Sequence, residues 1–411
     1  MPSLFKTGSK FMTRNCGLAV VSAVAIAALS QTPATAQDKT YKVGYIADLS
    51  GPMQDNYGPI VEGFEYYVKE LNARGGVNGI PVKVSIRDDG LDATRAATNA
   101  LELATSEGVN SIWGMSVTRT HLAVYQTAAR NSIPAVAMFS GIKEVLPPKP
   151  LPFAYSAGHV FEIAGEISGK LAAKMGDGKG MMICNSIEAP GGVAACEFAE
   201  GAAAAGGMQT GTVLFPPTVT EFSAIAQRMV AMKPTIVVAH AGAGQNVGLI
   251  KALRGAGYNG PVLLGSHGLN EAPLINALSG VGGLEKIQIV SRFASPDSPG
   301  KELDEIRAAA KKYGKKTPVS TTTIMGWSLA KVMEAGLTKC GYPCPGEKLN
   351  AVLENLKVEM GSLTGGPIQY SPNDHYGKSW WRVFQYNPDK QAFLPASDWL
   401  EASSTPTLRK K

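Results

Sequence analysis

The order of apolar and amphipathic runs between residues 41 and 114 constrains the fold most strongly. The apolar run YKVGYIADL ends in a Ser-Gly-Pro turn, and a long helical pattern follows it as far as Arg74. A second apolar run covers residues 80–86, a second helical pattern covers 92–106, and a third apolar run ends at Gly114. Connections this short predict a β-α-β-α-β unit built on a parallel sheet.

The same alternation returns in a second series. Strand and helix patterns alternate from residue 160 to 291, after a proline-rich connection at 147–152. Helices dominate residues 300–355, and two apolar runs around the turn SPNDHYG predict a terminal hairpin of residues 366–370 with 379–386. The sequence therefore predicts an α/β fold with two doubly wound parallel sheets.

The N-terminus has the pattern of an export signal. Lys6, Lys10 and Arg14 form a basic region, residues 17–30 are apolar but too few to span a bilayer, and small residues at 34 and 36 fit a cleavage site. We therefore expect residues 1–36 to be a signal peptide and the mature protein to be extracytoplasmic, in the periplasm.

Charge argues against a nucleic-acid partner. The chain carries 39 Lys and Arg against 33 Asp and Glu, a net charge of +6, and its basic residues form no block outside the terminal LRKK. A nucleic-acid-binding face would need clustered basic residues, so none is expected.

Four cysteines remain after the predicted cleavage. In an oxidising compartment an even number favours disulfides, and the local pairings are Cys184 with Cys196 and Cys340 with Cys344. A metal site is the weaker reading, because C-x3-C lacks a second Cys or His pair at a suitable distance.

Motifs for chemistry are missing or incomplete. The sequence contains neither G-x-S-x-G nor G-x-x-x-x-G-K-[ST], and the glycine-rich stretch from His240 to Gly248 lacks the acid that would hold a ribose. Asp88 and Asp89 are adjacent on a predicted strand, so their side chains should point to opposite faces and close the next turn. We expect no catalytic residue, no metal ligand and no cofactor.

Polar residues recur instead at the predicted carboxyl ends of strands, where open parallel sheets bind ligands. Ser116 and Thr118 stand at a helix start, where they suit either a carboxylate cradle or ordinary N-capping. The residues with this placement are Tyr57, Ser116, Thr118, Ser140, Glu188, His240 and His267.

Several segments together resemble one known family, the branched-chain amino-acid-binding type of periplasmic substrate-binding protein. The similarity covers essentially the whole mature chain. It rests on Leu49-Ser-Gly-Pro, Tyr57-Gly58, Asn72-Ala-Arg-Gly-Gly-Val-Asn-Gly79, the Asp88-Asp89 strand end, Gly365-Gly-Pro-Ile and Tyr370-Ser-Pro-Asn-Asp-His375. The resemblance implies two lobes that close on one small ligand, and a closed form that the membrane permease of an ATP-driven (ABC) importer recognises.

The resemblance also implies boundaries. Three hinge crossings near Ser156, Ser291 and Arg382 would divide the chain, which is expected to be a monomer. The first lobe would comprise residues 38–157 and 292–381, and the second lobe residues 158–291 and 382–411.

Carried over position by position, the family's ligand contacts fall on these residues. In the first lobe they are Tyr57, either Ser116 or Thr118 for the ligand carboxylate, and Phe139, Ser140 and Gly141. In the second lobe the chain departs from the family pattern. Ala189, which follows Glu188, and Gly242 stand where the family has two tyrosines. His267 stands where the family has the glutamate that accepts the ligand's ammonium.

These departures imply a different ligand. A buried ammonium needs an anionic partner, and losing two tyrosines widens the cleft. We therefore expect a carboxylate without an α-ammonium and with an aromatic body, of phenolic or benzoic type. Glu188 keeps a branched-chain amino acid or amide receptor open as the alternative. Two further alternatives are a periplasmic sensor domain and a secreted α/β enzyme that would use His267 or His240 with Glu188.

Overall fold

Two β-sheets, one of five strands and one of eight, organise the chain. The computed structural model describes residues 39–410 apart from 52, 139, 142, 266–270 and 315–317. We call the part built on the five-stranded sheet the first lobe and the part built on the eight-stranded sheet the second lobe.

The first lobe's sheet is parallel throughout, as the β-α-β-α-β pattern predicts. Its strands are β1 (Tyr41–Ala47), β2 (Val82–Asp88), β3 (Ile112–Gly114), β4 (Ala135–Ala137) and β6 (Ala154–Ser156), in the order β2-β1-β3-β4-β6. The helices between them are α1 (Gln54–Ala73), α2 (Ala93–Glu102) and α3 (Thr118–Arg130). A separate two-stranded pair joins β5 (Ser140–Gly141) to β7 (His159–Val160).

The second lobe's sheet is parallel in its first five strands and antiparallel where the chain returns to it. The strands are β8 (Met181–Ile187), β9 (Gln209–Phe215), β10 (Ile236–His240), β11 (Val262–Leu264), β12 (Ile287–Ser291), β15 (Ser379–Asn387), β16 (Ala392–Pro395) and β17 (Leu400–Ala402). The order is β16-β15-β12-β11-β10-β8-β9, with β17 on β15. The helices are α4 (Phe161–Met175), α5 (Pro190–Ala205), α6 (Ser223–Ala231), α7 (Ala243–Gly255) and α8 (Glu271–Ala277).

Between β12 and β15 the chain returns to the first lobe. This segment holds α9 (Lys301–Tyr313), α10 (Thr321–Cys340), α11 (Gly346–Leu353), β13 (Lys357–Val358) and β14 (Ile368–Gln369). Residues of α9, α10 and α11 share one apolar core with β1 and α1, including Leu303, Ile324, Leu349, Tyr45 and Phe64.

The contact of α1 with α10 depends on two glycines. A Cβ on Gly63 would lie 2.0 Å from the Thr323 carbonyl oxygen, and one on Gly326 would lie 1.8 Å from that of Ile60. The helix backbones thus approach more closely than any side chain allows, so the packing requires glycine at both positions.

The chain passes between the lobes three times: between β6 and β7, after β12, and before β15. The predicted fold class, two doubly wound lobes joined by three crossing segments, is confirmed. The predicted lobe boundaries remain a prediction, and the one between residues 381 and 382 falls inside β15.

Both predicted disulfides are present. Cys184 in β8 is bonded to Cys196 in α5, and Cys340 at the end of α10 is bonded to Cys344. None of the helices in the described residues combines the length and the apolar character that a membrane crossing requires.

Two local predictions were wrong. β14 pairs with β13, and β15 pairs with β12, β16 and β17, so residues 366–370 and 379–386 do not form a hairpin with each other. The N-cap of α3 is Val117, not Ser116 or Thr118, because the Ser116 hydroxyl is bonded elsewhere.

Candidate functional site

Three carboxylates stand where β1 and β2 end. Asp48, Asp88 and Asp89 bring one oxygen each within 4.8 Å of one another. Asp48 accepts hydrogen bonds from the Gly51 and Met53 N–H groups at 2.6 and 2.9 Å. Acidic residue types suit a hard cation. Here, however, the Asp48 carboxylate closes the turn that follows β1.

Asp88 has the same role in the neighbouring loop. Its carboxylate accepts the Leu49 N–H at 2.8 Å, the Gly90 N–H at 3.0 Å and the Ser50 hydroxyl at 2.5 Å. The prediction that Asp88 and Asp89 close the turn after their strand is therefore consistent with these bonds, and Asp88 also ties that turn to the loop after β1.

Tyr57, Ser116 and Asp89 form a buried chain of hydrogen bonds. The Tyr57 hydroxyl donates to the Ser116 carbonyl oxygen, and the Ser116 hydroxyl donates to Asp89 Oδ1 at 2.9 Å. Tyr57 is 2% exposed, and the other two are fully buried. Burial raises the pKa of Asp89, and the bonds from Leu91 and Ser116 oppose that rise. Ser116 therefore gives its proton to a neighbour within its own lobe.

Thr118 differs from Ser116 although only one residue separates them. It is the first residue of α3 and is half-buried. Within the described residues the Thr118 hydroxyl makes no hydrogen bond. The N-terminus of α3 is capped instead by Thr120, whose Oγ1 accepts the Val117 N–H at 3.1 Å. The hydroxyl lies at a helix N-terminus, where peptide N–H groups favour an anion.

The next predicted contacts lie where the chain leaves the first sheet. Ser140 pairs with His159 and Gly141 with Val160 in the β5–β7 ladder, so this backbone is held in place. Phe139 lies outside the described residues, as does His267 of the second lobe.

The second lobe presents two helix starts at its sheet edge. Ala189 is the N-cap of α5 and Gly242 is the N-cap of α7. Beside them, Glu188 is exposed, and its backbone N–H donates to the Phe215 carbonyl oxygen at 2.7 Å. His240, the last residue of β10, is buried, and its carbonyl oxygen accepts the Ser186 hydroxyl at 2.5 Å.

Buried imidazoles line the junction of the lobes. Burial lowers the pKa of His240 to about 4 and that of His121 to about 3. The pKa of His159 falls to about 3 through burial first and then through the charges of His240, Arg292 and His121. These histidines are therefore neutral at physiological pH.

Arg292 is a buried cation that sequence reasoning missed. It follows β12, is 2% exposed, and donates through Nη1 to the Gly158 carbonyl oxygen. Its guanidinium lies 4.6 Å from the centre of the Tyr376 ring, and no carboxylate of the described residues forms a salt bridge with it. The available signal was an arginine directly after the apolar strand IQIVS, at a predicted hinge crossing.

Two surface cavities lie elsewhere. One of about 380 Å³ separates α4 from residues 401–407, and one of about 200 Å³ is lined by residues between 367 and 380. Neither is lined by a predicted ligand residue. Among the described residues, the Tyr57–Ser116 hydrogen bond joins two predicted ligand residues, and both of them lie in the first lobe.

A two-lobed α/β fold with polar residues at the facing strand ends defines a protein of the type I periplasmic binding fold. The chain belongs to the periplasmic binding protein family, whose sequence profile, described as "Periplasmic binding protein", matches residues 40–392. This confirms the resemblance found in the sequence. The family places the chain among extracytoplasmic solute-binding receptors of ABC importers.

Individual relatives agree on the family but differ in ligand. A Leu/Ile/Val-binding protein of Rhizobium johnstonii is 23% identical over 85% of this chain and 93% of its own. A solute-binding protein of R. palustris in complex with 4-hydroxybenzoate has a TM-score of 0.75 at 19% identity, covering 90% and 98% of the two chains. A Thermus thermophilus branched-chain amino acid transporter protein with bound valine has a TM-score of 0.79 at 16% identity, covering 89% and 98%.

Proposed function

We propose that this protein closes its two lobes on a small aromatic carboxylate, of the phenolic or benzoic type, and delivers it to a membrane permease. The observation that carries this ligand class is the pair of small residues, Ala189 and Gly242, at the helix starts of the second lobe. Where the family has two tyrosine rings, this chain has a methyl group and a hydrogen atom.

The space at Gly242 supports a bulky ligand. Among the described residues, a Cβ built there would meet the Gln245 Oε1 atom alone, at 3.5 Å. At the start of α5, the ring of Phe161 packs against Gly191, and it lies 5.8 Å from the His159 ring in an edge-to-face arrangement. An aryl group placed between these helix starts would therefore meet an aromatic surface, and aromatic pairs of this kind are favourable.

Charge supports an acid without an ammonium. The family's ammonium-binding glutamate falls on His267, and His240 at the end of β10 is neutral, so neither residue supplies a negative charge. Asp89, the buried acid at the edge of the first sheet, is already bonded to Ser116 and Leu91. Among the proposed contacts the exposed Glu188 is the one acid, and burying an ammonium without a close anionic partner is costly.

The nine residues predicted from the sequence remain the proposed contacts. Between the two candidate hydroxyls, Thr118 suits the ligand better, because the Ser116 proton is donated to Asp89. Several of the contacts are buried, so a ligand would reach them only when the lobes separate. The proposed contacts are Tyr57, Ser116, Thr118, Phe139, Ser140, Gly141, Glu188, His240 and His267.

The second candidate is a receptor for a branched-chain amino acid or amide. The exposed carboxylate of Glu188, next to Ala189, favours it, and the named relatives include Leu/Ile/Val-binding proteins. A secreted enzyme has less support, because the neutral, buried His240 has no described contact with Glu188. Export by a signal peptide at residues 1–36, a permease partner and a monomeric state complete the proposal.

Restoring the missing tyrosine tests the ligand class. Gly242→Tyr should fill the space that the aryl group occupies and reduce the thermal stabilisation by 4-hydroxybenzoate to near zero. Gly244→Tyr is the matched control, because Gly244 is exposed and no atom in the described part of the chain lies within 4 Å of a Cβ built there. It should leave the stabilisation unchanged.

Two results of these thermal-shift measurements would contradict the proposed ligand class or its site. Stabilisation of the unsubstituted protein by leucine or valine, with none by benzoate or 4-hydroxybenzoate, would establish the amino acid receptor instead. Equal responses of the Gly242→Tyr and Gly244→Tyr proteins would remove Gly242 from the site.

A further inference from the structure

We infer that Arg292 supplies the positive charge that neutralises the ligand's carboxylate at the hinge end of the cleft. This inference rests on the proposed function and assigns a specificity-determining residue to it. The Arg292 guanidinium lies where all three crossing segments meet.

Arg292 contacts each crossing. It lies on the second one itself, directly after β12. Its Nη1 donates to the carbonyl oxygen of Gly158, between β6 and β7 on the first crossing. The guanidinium lies over the ring of Tyr376, just before β15 on the third crossing. The charge is therefore fixed at the base of the cleft.

This position adjoins the proposed site. Gly158 precedes His159, which pairs in register with Ser140. The Arg292 guanidinium is also close enough to His159 to contribute to the lowering of its pKa, after burial and His240. Gly158, which Arg292 contacts, is therefore adjacent in sequence to His159, and His159 pairs with the proposed ligand contact Ser140.

The guanidinium has unused hydrogen-bonding capacity. Its described contacts are one backbone carbonyl and one aromatic face, whereas a guanidinium offers five N–H donors that match a carboxylate. Two neighbouring phenols, those of Tyr370 and Tyr376, are also buried, and their hydroxyl groups have no hydrogen-bond partner within the described residues. An isolated buried charge is unfavourable, and an anionic ligand would compensate it.

Ser116 and Thr118 cannot supply this charge. A hydroxyl donates one hydrogen bond, and Ser116 already donates its proton to the Asp89 carboxylate, whose charge repels a second anion. The imidazoles of His159 and His240 are neutral at physiological pH. Arg292 therefore supplies a buried positive charge at the junction of the lobes, whereas Lys143, after β5, is an exposed cation.

The test compares an acid with its uncharged amide. Isothermal titration with 4-hydroxybenzoate and 4-hydroxybenzamide is made on the unsubstituted protein and on Arg292→Gln and Arg292→Lys. Arg292→Gln should weaken binding of the acid about 100-fold and leave the amide unchanged, since removing one partner of a buried charge pair leaves the other charge unpaired. Arg292→Lys should retain part of the affinity, because it keeps the charge but not the planar fork.

Arg254→Gln is the matched control. Arg254 also lies over a tyrosine ring, that of Tyr258, and donates to backbone carbonyls, but it belongs to α7, away from the hinge. Its substitution should change neither affinity.

Different failures have different meanings. An equal loss of acid and amide affinity in Arg292→Gln would make Arg292 a purely structural residue of the hinge and overturn the inference, as would unchanged acid binding. If Arg292→Gln does not fold, the same comparison on Arg292→Lys decides, with an acid-specific loss of about tenfold expected. An unsubstituted protein that binds neither probe, or binds them equally, overturns the proposed ligand class itself.

Discussion

At the scale of single residues, the partner of each polar atom decides which predicted contact is available to a ligand. Ser116 and Thr118 are equivalent in the sequence, since both are hydroxyls at a helix start. The structure separates them, because the Ser116 hydroxyl donates to Asp89 at 2.9 Å while Thr118 stays half-buried at the first position of α3.

Substituting each hydroxyl separately tests this difference. Thr118→Val should weaken 4-hydroxybenzoate binding about tenfold and leave the melting temperature unchanged, because the lost hydrogen bond is one to the ligand. Ser116→Ala should lower the free energy of unfolding by about 1–3 kcal/mol, because it leaves the Asp89 carboxylate without that donor. Titration calorimetry and thermal melting of both proteins would show the opposite pattern if Ser116 held the ligand.

Sequence reasoning identified residue types and strand ends but not these partners. Asp89 and Ser116 are separated by 27 residues, and their contact depends on the parallel register of β1 with β2 and β3. Arg292 was missed for a related reason. An arginine is usually exposed, and only the meeting of three distant segments buries this one.

At the scale of elements, a buried carboxylate of the second lobe is hydrogen-bonded to the start of a helix in the first lobe. Glu271, the first residue of α8 in the second lobe, accepts the backbone N–H of Thr321 at 3.1 Å and also the Thr321 hydroxyl. Thr321 begins α10, which packs on α1 in the first lobe. Glu271 is 4% exposed, and burial raises its pKa to about 7 despite these bonds.

This contact predicts a dependence of stability on pH. A carboxyl whose pKa is raised in the folded state stabilises that state at low pH, and its contribution is lost as the pH rises through about 7. The free energy of unfolding should therefore fall by up to about 3 kcal/mol between pH 4.5 and 7.5 from this group. Glu271→Gln keeps an acceptor for Thr321 and should remove that part of the pH dependence.

A second acid serves as the control for this measurement. Glu347 also lies in the first turn of a helix, α11, but is exposed. Denaturant unfolding of Glu347→Gln at both pH values should match the unsubstituted protein. If Glu271→Gln retained the full pH dependence, the contact between the lobes would not control it.

The elements themselves were largely predictable, whereas their partners were not. Period-two apolar runs identified the strands of both sheets. They also led to the wrong hairpin, because alternation identifies β15 as a strand but not its neighbour. That neighbour is β12, and the paired residues Gln288 and Gln385 are 97 residues apart in sequence. Pairing over such distances depends on tertiary packing, and local pattern does not encode it.

At the scale of the whole molecule, the repeated alternation of strands and helices indicated the two lobes, and the resemblance to periplasmic binding proteins indicated a receptor. Export by the N-terminal pattern remains a prediction. Both disulfides were also predictable, because each closes a short loop, 12 and 4 residues in sequence separation. The ligand was less predictable, since the two residues on which the proposed ligand class rests, Ala189 and Gly242, have small side chains. Small side chains give space without specifying what fills it.

The proposed function requires the closed cleft to hold an aromatic acid rather than an amino acid. Protein that has been unfolded, freed of bound molecules by dialysis and refolded should be titrated by calorimetry with 4-hydroxybenzoate and with L-leucine. We predict that 4-hydroxybenzoate saturates at one molecule per chain and is recovered unchanged, and that leucine gives no binding heat. Saturable leucine binding with no response to 4-hydroxybenzoate would contradict the account.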